Sequence, residues 1–196
     1  MAEITIENIK KLKELSGVGL TDAKKALVEA DGDFDKALKA MREKGLTKAE
    51  KRGDRETREG IVDTYIHDGR LGAIIEVNCE TSFVANTDEF KDLAHKLAMQ
   101  VASMAPLYVS EEDIPAETMK VKMEEFEANF KGPENMKEQI LSGQVKKAFS
   151  DKVLMLQPYI LDDSKTVAEF IKEMIAKTGE NITVKQFKRI ELGVTE

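Results

Sequence analysis

The segment from residue 71 to residue 102 changes from a strand pattern to a helix pattern, and it constrains the fold more than any other part of the chain. Leu71 to Val77 is strongly apolar, as in a buried strand, whereas Phe90 to Ala102 repeats apolar side chains at helical spacing. The junction between them reads Cys79-Glu80-Thr81-Ser82-Phe83-Val84-Ala85-Asn86. Such a junction is normally polar because it lies at the surface. Phe83 therefore either folds back into the core or is held out for a partner.

Residues 1–46 predict a module of three short amphipathic helices. Each predicted helix has a capping residue before it and a glycine after it: Thr5 with Gly17, Thr21 with Gly32, and Asp33 with Gly45. So short a segment can bury only a small core. Residues 47–59 carry many charges and few large apolar side chains, so we expect them to form an exposed linker.

Residues 60–196 predict an α+β core domain with a mostly antiparallel sheet packed by helices. Asp68-Gly69 separates two apolar strand segments and favours a type I′ hairpin turn, in which both turn positions have positive φ. Asn86, with Glu89 three residues later, predicts the cap of the following helix. Further helices are expected at 115–130, 133–150 (broken at Gly143) and 167–179, and further strands at 153–161 and 182–192.

The composition restricts the possible functions. The net charge is −7, which argues against general nucleic-acid binding, because that depends on clustered lysines and arginines. The sequence contains no apolar run long enough to span a membrane and no secretory leader after Met1. Its single cysteine, Cys79, excludes an internal disulfide and is typical of a reducing compartment. We expect a cytoplasmic protein that binds neither nucleic acid nor membrane.

No motif predicts a catalytic, cofactor or metal site. His67 and His95 lack the spacing of a metal-ligating pair, and Cys79 closes an apolar strand, where cysteine is usually a small buried residue. Gly17-Val18-Gly19 resembles the start of a dinucleotide-binding fingerprint, but no strand precedes it and the third glycine is missing. The sequence therefore predicts a binding protein without enzymatic chemistry, cofactor or bound metal. Two candidate surfaces remain, at Leu15 to Lys24 and at Thr81 to Val84.

Several motifs in the same order resemble the bacterial elongation factor Ts family, the nucleotide exchange factors of elongation factor Tu. They cover essentially the whole chain: Leu15 to Leu27 resembles the N-terminal signature, Glu59 to Val62 with Tyr65 to His67 and Gly72 to Glu76 the first hairpin, Asn78 to Ala85 the hallmark loop, and Gln157 to Tyr159 with Gly179 to Ile182 the late segments. The length is similar to the short form of the family. The resemblance implies a UBA-like three-helix module, similar to ubiquitin-associated domains, followed by an α+β core.

The resemblance also implies a function. The chain would bind the G domain of GDP-bound elongation factor Tu, displace its Mg²⁺ and promote GDP release so that GTP can bind. The residues implied to dislocate the partner's Mg²⁺ are Thr81, Ser82, Phe83 and Val84. Those implied to form an N-terminal partner-binding surface are Lys13, Gly17, Val18, Gly19, Leu20, Thr21 and Lys24. Short members tend to dimerise, which makes a complex of two copies of each protein an expected assembly.

This chain departs from the family pattern at several positions. Ser82 stands where the family usually has Asp, and Asn86 where it usually has Arg or Lys. Leu20 and Thr21 replace paired methionines. Two other functions remain open alternatives: a ubiquitin-like or peptide adaptor that uses the three-helix module, and a small hydrolase that uses Cys79 with a histidine.

Overall fold

The computed structural model describes residues 4–16, 19–130 and 136–194. Its first three elements are helices, α1 (Ile6–Ser16), α2 (Leu20–Glu29) and α3 (Phe34–Glu50). They enclose a small apolar core made of Ile9, Leu12, Ala23, Ala26, Leu27, Ala37 and Met41. Two predicted caps are confirmed: Thr5 Oγ1 accepts a 3.1 Å hydrogen bond from Asn8 N, and Asp33 Oδ1 accepts one of 3.1 Å from Lys36 N.

Two predicted helix ends in this module are wrong. The N-cap of α2 is Gly19, not Thr21, because Gly19 has extended backbone angles and its carbonyl accepts the first helical bond, from Ala23 N at 3.0 Å. The third helix does not stop at Gly45 but continues to Glu50. A glycine inside a helix costs only about 1 kcal/mol, and the extension buries Ala49, which offsets that cost. Gly17 lies outside the described residues.

The core contains a three-stranded sheet with the order β1 (Glu59–His67), β2 (Leu71–Cys79) and β5 (Ile182–Glu191). The predicted type I′ turn is confirmed: Asp68 and Gly69 have φ values of 50° and 66°, and Arg70 N donates to His67 O at 3.0 Å. β2 buries every second side chain, Ala73, Ile75, Val77 and Cys79. The predicted α+β class with an antiparallel sheet and helices is confirmed.

Further helices lie between the strands along the chain. They are α4 (Ser82–Ala85), α5 (Asp88–Met104), α6 (Ala116–Ala128), α7 (Lys137–Phe149) and α8 (Val167–Thr178). α5 buries Phe90, Leu93, Ala94, Leu97, Ala98 and Val101, as its periodicity predicts. α7 is not broken at Gly143. Among the described residues, no helix is both long and apolar enough to cross a membrane.

The strand expected over 153–161 is mostly absent. A 3₁₀ turn occupies Leu154–Leu156, and only β3 (Pro158–Tyr159) pairs with β4 (Asp162–Thr166) in a separate two-stranded antiparallel sheet. The buried side chain of Gln157 explains the turn, because its Nε2 donates to the carbonyls of Met104 at 3.2 Å and Asp151 at 2.7 Å. These bonds fix the backbone before β3 and prevent a continuous strand.

The chain folds into two compact units that alternate along the sequence. The first comprises residues 1–62, 76–94 and 169–184, and the second residues 63–75, 95–168 and 185–196. Both candidate surfaces, at Leu15 to Lys24 and at Thr81 to Val84, lie in the first unit. The predicted division into 1–46, 47–59 and 60–196 stays a prediction.

Candidate functional site

The junction between β2 and α5 exposes Phe83 on a single helical turn. Phe83 is 82% exposed, whereas the next two residues, Val84 and Ala85, are 6% and 4% exposed. Burial of a phenylalanine would contribute roughly 1.5–3 kcal/mol, and this chain leaves that contribution unused. The turn therefore anchors itself through Val84 and Ala85 and holds the aromatic ring outward. Thr81 and Ser82, beside it, are also exposed.

Local hydrogen bonds shape this turn. Thr81 has extended backbone angles and caps α4, since its Oγ1 accepts from Val84 N at 3.4 Å and its carbonyl from Ala85 N at 3.2 Å. Asn86 closes the turn by donating from Nδ2 to Ser82 O at 2.8 Å. The predicted role of Asn86 as the cap of α5 is wrong. Thr87 takes that role, because its Oγ1 accepts from Phe90 N at 3.2 Å.

A second segment, Glu180-Asn181, holds the start of the turn. Both oxygens of Glu180 accept hydrogen bonds from Thr81, at 3.0 Å from the backbone N and at 2.6 Å from Oγ1. In return, Glu80 Oε1 accepts a 2.6 Å bond from Asn181 N. The sequence had not indicated a role for Glu80, Glu180 or Asn181. The available signal was Gly179, which ends α8 with φ +80° and lets the chain reverse towards the turn.

Asn181 also connects the turn to the segment that follows α3. Its side chain is 2% exposed, and its Nδ2 donates to the carbonyls of Gly53 at 3.1 Å and Arg55 at 2.8 Å. The Arg55 guanidinium in turn lies 3.3 Å from Glu80 Oε1. The turn that carries Phe83 and the chain that leaves the three-helix module thus share one hydrogen-bonded network.

Cys79 does not have the properties of a nucleophile. Its side chain is buried, as predicted, and Sγ donates to Thr81 O at 3.2 Å. Burial, with a smaller contribution from the negative charge of Glu180, raises the pKa of the Cys79 thiol to about 11. A reactive cysteine needs the opposite shift, because the thiolate is the reactive form. Cys79 is therefore a packing residue of the core and is not suited to act as a nucleophile.

The two histidines lie in the second unit and have local partners. His67 Nδ1 is 3.0 Å from Tyr65 Oη, and His95 Nδ1 is 3.6 Å from Asp63 Oδ2. Within residues 4–16, 19–130 and 136–194, no group of three or more His, Cys, Asp or Glu side chains could hold a metal ion.

The N-terminal candidate surface lies at the corner between α1 and α2. Leu15 and Leu20 are 52% and 53% exposed, on either side of the corner. The other described members of the predicted surface are exposed as well: Lys13, Gly19, Thr21 and Lys24. Gly17 and Val18 lie outside the described residues. Two exposed leucines therefore lie among polar and charged side chains, and an exposed apolar patch with polar surroundings is typical of a protein-binding site.

Comparison with known proteins gives consistent matches over nearly the whole chain. The family model described as "Elongation factor TS" matches residues 4–194. The curated elongation factor Ts of Thermotoga maritima is 52% identical over 193 residues, which cover 97% of each chain. The same-named protein of Thermoanaerobacter sp. is 45% identical over 97% of this chain and 95% of its own length. That of Fervidobacterium nodosum is 42% identical over 97% and 99%.

Proposed function

Since this chain belongs to the elongation factor Ts family, we propose that it acts in translation elongation as the guanine-nucleotide exchange factor of elongation factor Tu. It would bind the GDP-bound partner in the cytoplasm, displace Mg²⁺ and promote GDP release so that GTP can bind. The observation that carries this proposal is the outward position of Phe83, 82% exposed on a turn whose other apolar side chains are buried. No covalent reaction by this protein is required.

Phe83 is the residue that we propose to enter the partner. It would insert between two helices of the G domain and displace groups that hold Mg²⁺ on the nucleotide. A bound divalent cation is often the largest local positive charge in a phosphate site, so its loss weakens GDP binding. By linkage, the exchange factor weakens GDP by the same factor by which GDP weakens the exchange factor. Thr81 and Ser82 lie beside Phe83 and would contact the partner, whereas the buried Val84 would support the turn from below.

Phe83 alone is insufficient for fast exchange. A thousandfold increase in GDP release requires a barrier lower by about 4 kcal/mol, while burial of one phenylalanine contributes roughly 1.5–3 kcal/mol. A second contact is therefore needed. The corner between α1 and α2, with its exposed Leu15 and Leu20 flanked by Lys13 and Lys24, supplies a surface that would hold the G domain while Phe83 inserts.

We also propose a homodimer, which would give a complex of two copies of each protein. In the second unit, each strand of the three-stranded sheet exposes an isoleucine: Ile66 at 70%, Ile74 at 44% and Ile190 at 76%. Ile190 also lines an open groove of about 530 Å³ together with Leu107 and Val194, which are 63% and 60% exposed. So much exposed apolar surface favours association with a second copy.

Release of fluorescent GDP from elongation factor Tu tests the proposed function. We expect the full chain to accelerate release in a concentration-dependent manner and excess Mg²⁺ to oppose the acceleration. An unchanged release rate at saturating concentrations of this protein would refute the assignment.

A further inference from the structure

We propose that Glu180 positions Phe83 for exchange by clamping the first residue of the turn. The inference rests on the proposed function, since it concerns the residue that would enter the partner. Glu180 lies 99 positions from Thr81 in sequence and touches it with both carboxylate oxygens, at 3.0 Å and 2.6 Å. It does not need to contact the partner itself, because it acts through the turn.

The turn needs such support because it is too short to be stable by itself. α4 has four residues, and helix formation begins with an unfavourable nucleus that so few residues cannot offset. Phe83 is 82% exposed and gains little packing from its own chain. Its direction is therefore set by the backbone of α4, and that backbone is fixed at its start by Thr81.

The carboxylate of Glu180 matches both donors of Thr81. One oxygen accepts the backbone N–H and the other the hydroxyl proton. While the Thr81 hydroxyl donates its hydrogen bond to Glu180, its oxygen still has lone pairs and accepts a hydrogen bond from Val84 N at 3.4 Å. Glu180 thus orients the hydroxyl for its capping role. Hydrogen bonds to an ionised group are stronger than neutral ones, which makes this carboxylate an effective clamp.

A reciprocal contact makes the clamp rigid. Asn181 N donates to Glu80 Oε1 at 2.6 Å, so that each of two adjacent residues in one segment bonds to one of two adjacent residues in the other. Asn181 is itself fixed by its bonds to the carbonyls of Gly53 and Arg55. Because Asn181 is fixed, the backbone of the adjacent Glu180 is also held in place. The Glu180 carboxylate can therefore restrict the motion of Thr81.

The expected effect is pre-organisation. A contact residue that is already held in its bound position loses less entropy on binding than one that must first be ordered. Removal of the Glu180 carboxylate should leave the fold intact but increase the motion of α4. The N-terminal corner is not part of this network. The half-saturating concentration, which reflects binding of the partner, should therefore change less than the maximal exchange rate.

A tryptophan at position 83 can report the motion directly. The chain contains no tryptophan, so Phe83→Trp introduces a single fluorophore at the turn. Time-resolved anisotropy of the isolated protein would compare Phe83→Trp alone with the same chain carrying Glu180→Ala or Glu180→Gln. We expect a larger fast component with Glu180→Ala and an intermediate one with Glu180→Gln, which keeps an acceptor for one donor. Exposed Glu138, in the first turn of α7, provides a matched control as Glu138→Ala.

The exchange assay completes the test with Phe83 restored. Glu180→Ala should lower the maximal rate of GDP release roughly tenfold, with a change of no more than about twofold in the half-saturating concentration. Unchanged anisotropy of the introduced tryptophan, or increased motion with an unchanged exchange rate, would overturn the role of Glu180 and leave the proposed function standing. If the unmodified protein fails to accelerate release, the proposed function fails, and with it the role of Glu180 in exchange, even where the anisotropy changes.

Discussion

The backbone nitrogen of Asn181 lies 2.6 Å from Glu80 Oε1, although the two residues are 101 positions apart in sequence. This bond joins the residue that follows β2 to the residue that precedes β5, at the place where the chain turns towards Phe83. The bond fixes the turn that carries the exposed ring of Phe83. Separate variants can therefore test the stability of this turn and the contribution of the ring to nucleotide exchange.

The first prediction concerns the ring. Phe83→Ala should slow GDP release from elongation factor Tu by about 10- to 100-fold, because it removes a contact worth roughly 1.5–3 kcal/mol. The midpoint of thermal unfolding should not fall, since the side chain is 82% exposed. Stopped-flow fluorescence and circular dichroism measure the two effects. A variant that unfolds would show that Phe83 belongs to the core.

The second prediction concerns the uncharged neighbour. Ser82 is exposed in the first position of α4, and an acidic residue there interacts favourably with the N-terminal end of a helix. Ser82→Asp should leave exchange unchanged or make it faster. A large loss of rate in the same assay would mean that the Ser82 hydroxyl makes a specific contact with the partner.

The third prediction concerns the buried amide. Asn181→Ala removes the donors to the carbonyls of Gly53 and Arg55 in a side chain that is 2% exposed. Each hydrogen bond contributes about 0.5–1.5 kcal/mol net, so urea unfolding should show a loss of about 1–3 kcal/mol for the two bonds together. Asn129→Ala is the matched control, because exposed Asn129 donates in the same way to Glu125 O at 2.9 Å. Equal losses in the two variants would contradict a special role for Asn181.

The fourth prediction concerns pH. The pKa of Cys79 is raised from 9.0 to about 11 by burial, so the folded state keeps its thiol proton where the unfolded state has lost it. The unfolded state binds fewer protons in this range, and stability should therefore decrease as pH rises from about 9 to about 11. Cys79→Ala should show a smaller decrease over the same range in urea unfolding. Identical pH profiles for the two proteins would exclude this contribution.

Local sequence patterns predicted the parts of this fold that depend on local chemistry. The Asp68-Gly69 turn and the caps Thr5 and Asp33 are confirmed, because each depends on a few neighbouring residues. The prediction that Asn86 caps α5 was wrong for a related reason. The helical turn that precedes Asn86 has only four residues, which is too short to show a helical repeat of apolar side chains. The pattern therefore could not show that Asn86 ends one helix rather than beginning the next.

The exposure of Phe83 could not be decided from the sequence by itself. The ring points outward because Val84 and Ala85 are buried in the folded core, and the turn pairs with Glu180, 99 residues from Thr81. No local pattern encodes such long-range contacts. The same limit applies to the N-terminal corner. Its composition predicted a surface, but the exposure of Leu15 and Leu20 follows from how α1, α2 and α3 pack against one another.

The fifth prediction concerns self-association. Ile190 is 76% exposed on β5 and lines the open groove with Leu107 and Val194. Ile190→Glu would place a charge in the proposed dimer contact, and burial of an unpaired charge is costly, so sedimentation equilibrium should show a weaker dimer. Val121→Glu is the control, since Val121 is an apolar residue 55% exposed on α6, outside the proposed contact. A monomeric unmodified protein at all accessible concentrations, or a dimer that Ile190→Glu leaves intact, would exclude this surface as the interface. The proposed exchange contacts lie in the first unit and Ile190 lies in the second. The monomeric variant should therefore still accelerate GDP release, which would separate the effect of dimerisation from the effect on exchange.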